Sequence, residues 1–71
     1  MRSALQITQD AINDLLDRGD GVEFVVSDDA QILREAGALV LGNFPLGDGT
    51  YRVDLTFRGV PFVTVADEPW A

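Results

Sequence analysis

The sequence predicts a two-layer α+β fold: a three- to four-stranded, mostly antiparallel sheet packed against one long N-terminal helix, with a second short helix. Three observations predict it. Residues 4–18 repeat apolar side chains at helical spacing. Tyr51, Val53, Leu55 and Phe57 alternate with Arg52, Asp54, Thr56 and Arg58, the period of a strand with one wet face. Between these lies an apolar run over residues 38–44, broken at Gly42. At 71 residues the chain is read as one domain, 1–71.

The long helix places Ala4, Leu5, Thr8, Ala11, Ile12, Leu15 and Leu16 on one side. Ser3 and Gln6 have the spacing of a capping box, so the helix starts there. Gly19 suits the left-handed position that ends a helix, and Arg18 suits the negative end of its dipole. After a turn at Gly19-Asp20-Gly21, residues 22–26 read as a strand with Val22, Phe24 and Val26 on one face. Ser27 is the expected cap of the short helix, with Asp28 and Asp29 in its first turn. Ile32, Leu33 and Ala36 face inward, and Gly37 stops it.

Residues 38–44 suit a central strand with a bulge or a close backbone approach at Gly42. Pro45 and Gly47-Asp48-Gly49 turn the chain into the alternating strand. Gly59 turns it again, and residues 60–66 return as the last strand. A two-residue turn at Arg58-Gly59 pairs Leu55 with Phe62, whereas a three-residue turn pairs it with Val63. The acidic tail ends in Pro69-Trp70-Ala71.

Composition narrows the function. Twelve carboxylates face five arginines, for a formal charge of −7, and there is no histidine, cysteine or lysine. The usual groups for proton shuttling near neutral pH, thiol chemistry and Schiff-base formation are missing, so the expectation is a binding protein and not an enzyme. No cofactor is expected. No metal site is expected either: a calcium loop counted from Asp17 puts Gly19 and Gly21 where ligands belong and Val22 where glycine belongs. Phosphate-binding loops of the GxGxxG or GxxxxGK[ST] type do not occur. The start, Met1-Arg2-Ser3, leads into a polar pattern with no apolar signal region, so a cytoplasmic location is the default.

Negative charge disfavours direct binding of nucleic acid or anionic membrane. It favours a basic surface on a larger protein, such as one that otherwise holds nucleic acid. Asp10, Asp14 and Asp17 fall at i, i+4 and i+7, an acidic ridge opposite the apolar stripe. Glu23, Asp28, Asp29 and Glu35 are the candidates to extend it, and Trp70 is a candidate aromatic anchor. The expected manner of working is nucleic-acid mimicry, that of small phage-encoded inhibitors such as anti-CRISPR and anti-restriction proteins; the parallel is one of size and charge. The alternative is an assembly subunit that self-associates through a sheet edge or an apolar patch. A monomer or small homo-oligomer fits either reading.

Overall fold

The computed structural model describes residues 3–19 and 21–70. Its elements follow in the order α1 (Ala4–Arg18), β1 (Glu23–Phe24), α2 (Ser27–Glu35), β2 (Leu39–Pro45), β3 (Tyr51–Phe57) and β4 (Val60–Ala66). The four strands form one sheet in the order β1-β4-β3-β2. β1 runs parallel to β4, and the other neighbours are antiparallel. The fold is α+β with a mixed sheet. None of the described helices is long and apolar enough to cross a membrane.

Helix α1 forms where its caps and periodicity place it. The Ser3 hydroxyl accepts a hydrogen bond from the Gln6 backbone N–H at 3.2 Å, and Gly19 adopts the left-handed conformation, its N–H donating to the Leu15 carbonyl. The buried seam is rotated from the expected one. Ile7, Thr8 and Ala11 are buried, while Leu5, Ile12 and Leu16 are exposed, Leu16 to 79%. Periodicity locates a stripe only to within a turn's width when apolar residues fill more than one side. Thr8 is tolerated inside because its hydroxyl donates to the Ala4 carbonyl at 2.7 Å.

Four further expectations need correction. The strand expected over residues 22–26 is only Glu23–Phe24; Val25, just beyond it, is buried, while Val22, Phe24 and Val26 are exposed, the parallel register setting Phe24 beside Val63 on the far side of the sheet. Val26 is the N-cap of α2 and makes no side-chain cap bond; Ser27 is already the first helical residue. In that helix Ala30 and Leu33 are buried, and Ala36 is exposed. β2 is an edge strand, not a central one. The turn at Asp20 lies outside the described residues.

The hairpins explain the register. Arg58 and Gly59 both have positive φ, 52° and 80°, the two-residue turn that matches strand twist, and Leu55 pairs with Phe62. The β2–β3 register slips between Val40 and Gly42, leaving Leu41 as the extra residue of a bulge. A side chain at Gly42 would approach the Phe44 ring to 3.3 Å, so the glycine keeps the bulge narrow.

Both helices cover the same face of the sheet. That face supplies Val53, Leu55, Phe57, Phe62 and Ala66 to a core shared with Ile7, Ala11, Ala30 and Leu33. The register puts Leu39, Phe44, Arg52, Asp54, Thr56, Val63 and Phe24 on the opposite face, which neither of the described helices covers.

Candidate functional site

The rotated seam of α1 decides where the acidic residues go. With Ile7 and Ala11 at its centre, the row of Asp10 and Asp14 borders the core directly. β1 and the start of α2 approach from the other side. Between them lies a groove of about 320 Å³ whose floor includes Ile7, Ala11 and Val25 and whose rim carries Asp10, Asp14, Glu23 and Asp29. Four of the eight candidate contact residues thus meet at one concavity.

The rim is only partly neutralised. Arg18 lies 2.5 Å from Glu23, fastening the end of α1 to β1 across the turn. The Gln6 amide donates to Asp10 at 3.2 Å. Among the described residues no cation pairs with Asp14. No set of three or more described carboxylates is arranged to hold a metal ion. The groups are spread around a rim and suit several separate positive charges.

The remaining candidates lie elsewhere. Asp17 is exposed on the ridge, one turn beyond the groove, and Glu35 is exposed at the far end of α2. Asp28 faces a second concavity of about 420 Å³, with Gln31, Asp67, Glu68 and Trp70. Trp70 is docked against the domain. Its backbone N–H donates to the Asn43 side-chain oxygen at 2.7 Å, and the Asn43 amide donates back to the Trp70 carbonyl at 2.6 Å. The Arg34 guanidinium sits 5.2 Å from the indole centroid.

Sequence reasoning passed over Asn43, which fixes the tail, and the apolar floor of the groove. The signal for the floor was Ile7, an apolar residue beside the acidic row that does not fit the stripe through Leu5 and Leu16. No protein-family model, curated protein or solved structure matches this chain.

Proposed function

We propose that the protein is a non-enzymatic, acidic binding module that occludes a basic, normally nucleic-acid-binding surface of a larger partner. The observation that carries this reading is the convergence of Asp10, Asp14, Glu23 and Asp29 on one groove with an apolar floor. An arginine or lysine side chain needs both parts: its aliphatic stem covers apolar surface while its head reaches carboxylate oxygens. A solvated acidic face without a floor offers only weak, screened attraction. Asp17, one turn beyond the groove on α1, extends the negative field and steers the partner before contact. The mode of action is that of small acidic inhibitors that compete with a phosphate backbone.

The test uses an arginine-rich peptide that binds duplex DNA. The protein should release the peptide from DNA, and raising salt should weaken its hold, mainly through slower association. Asp10→Asn, Asp14→Asn and Asp29→Asn combined should cost about tenfold in peptide affinity, about 1.4 kcal/mol. Asp17→Asn with Glu35→Gln should cost less, since neither lines the groove. Equal losses from the two sets would replace the groove with a diffuse charge effect. Binding unaffected by either set would overturn the reading.

A further inference from the structure

The uncovered face of the sheet has an order of its own. On β2 the bulge puts Leu41 on the same side as Leu39 and Phe44, and the three are 65%, 67% and 52% exposed. Three strands away, at the other edge, Phe24 of β1 is 55% exposed; Val63 of β4 lies beside it, and Val65 follows on the same face. Between these apolar flanks runs β3, whose Arg52 and Asp54 bind each other at 2.9 Å. The sheet's outer face is therefore apolar on both sides of an ion pair that already neutralises itself. The acidic residues of α1 and α2 lie on the opposite side of the molecule.

We propose that this face is where two copies of the chain associate, sheet against sheet. The face matches its own two-fold image. A two-fold axis along the strands lays β2 of one copy over β1 of the other, so Leu39, Leu41 and Phe44 meet Phe24. The same operation lays β3 over β4, so the stem of Arg52 rests on Val65 and no charge is left to pair. Charge selects this face over every other. Each copy carries −7, and contact through the helices would press carboxylates together. Face-to-face stacking instead separates the two helix layers by about 30 Å, at roughly 10 Å per layer, several Debye lengths at physiological salt. The face measures about 19 by 23 Å at ordinary strand spacings. That is below the usual size of a stable interface, which makes the dimer a weak, concentration-dependent one. The carboxylates of both acidic grooves stay uncovered in it, although Phe24, which also lines the groove, is taken up by the contact.

Sedimentation equilibrium of the full chain over a concentration series, at low and high salt, tests the proposal. The expected result is a monomer–dimer equilibrium that strengthens as salt screens the net charge, the opposite sign to binding through the groove. Leu41→Asp should weaken it about tenfold or more, because a carboxylate is then buried without a partner. Leu39→Asp, at the start of the same strand, serves as the second variant if Leu41→Asp alters thermal unfolding. Leu16→Asp, on the exposed side of α1, should leave the equilibrium unchanged. A monomer at every concentration overturns the proposal. So does a dimer indifferent to both β2 variants, or one that Leu16→Asp dissolves, which would place the contact on α1.

Discussion

The two faces of the sheet are made from alternate residues of the same strands, yet they meet opposite fates. On one face Val53, Leu55, Phe62 and Thr64 lie at 1% exposure or less; on the other, Arg52 and Val65 of the same two strands are exposed, and so are Leu39, Leu41 and Phe44 of β2. The difference comes from how much helix the chain supplies. A helix is about 10 Å across and a strand occupies about 4.8 Å, so two helices cover one face of four strands and leave nothing for the other. Alternation in a sequence says which residues share a face. It does not say which faces acquire a cover, and the described residues offer helices of 15 and 9 residues. Charge divides along the same line: carboxylates crowd the outer sides of the helices, while the bare face carries a self-paired Arg52 and Asp54.

The largest test of that division replaces one leucine on each side. Leu33 is fully buried under the covered face, and Leu33→Ala should lower stability by about 3 kcal/mol through a cavity that helix and sheet cannot close. Leu41→Asp, on the bare face, should change stability by no more than about 0.5 kcal/mol when measured on dilute monomer. Urea unfolding at low protein concentration separates the two outcomes. Comparable losses would mean that the bare face is covered within a single chain.

A smaller effect lies inside the covered face. The Thr64 hydroxyl is fully buried with no hydrogen-bond partner among the described residues. Its neighbour across the ladder is Val53, and the site is apolar. Thr64→Val keeps the shape and removes the unsatisfied group, so stability should rise by about 1 kcal/mol. The denaturant midpoint should increase with an unchanged slope. A drop would mean that the hydroxyl finds a partner, such as an ordered water, in solution.

Local chemistry was legible in the sequence wherever one residue type settles a conformation. Ser3 and Gly19 bound α1 and Gly42 marks the bulge, whereas Arg58-Gly59 allowed two registers, of which the structure has the one that pairs Leu55 with Phe62. The rest depends on contacts between distant segments. The seam of α1 turns toward Ile7 because β1 and α2 pack there, although Leu5 and Leu16 are equally apolar. Val22, Phe24 and Val26 are exposed because the two-residue strand β1 takes its phase from β4 rather than from its own pattern. The apolar run of β2 looked central, but hydropathy does not distinguish a buried strand from an exposed edge. The candidate site split for the same reason. Asp10 and Asp14 could be grouped by helical spacing, whereas adding Glu23 and Asp29 to the same groove, and leaving out Asp17 and Glu35, required the tertiary fold.

The smallest expected effect lies at the rim, in the loop joining β2 to β3, which neither helix covers. There the Asp48 carboxylate accepts hydrogen bonds from the Thr50 hydroxyl and, at 3.0 Å, from the Thr50 backbone N–H. These bonds, the hydroxyl's first, hold its pKa below the ordinary value of 3.8. A carboxylate with a lowered folded-state pKa stabilises the fold fully above its unfolded-state value. That contribution is lost as pH falls from the unfolded value through the folded one. Asp48→Asn retains an oxygen acceptor for the turn but does not titrate. The difference in unfolding temperature between wild type and Asp48→Asn should therefore be constant at near-neutral pH and begin to shift against the wild type below about pH 4. Because the loop is fully solvated, the shift should be slight and should not reach the core, leaving the Leu33→Ala deficit the same at both ends of the titration. A difference between wild type and Asp48→Asn that does not vary with pH would show that the Thr50 bonds do not persist in solution. A Leu33→Ala deficit that tracked pH would show that the rim and the covered face unfold as a coupled unit.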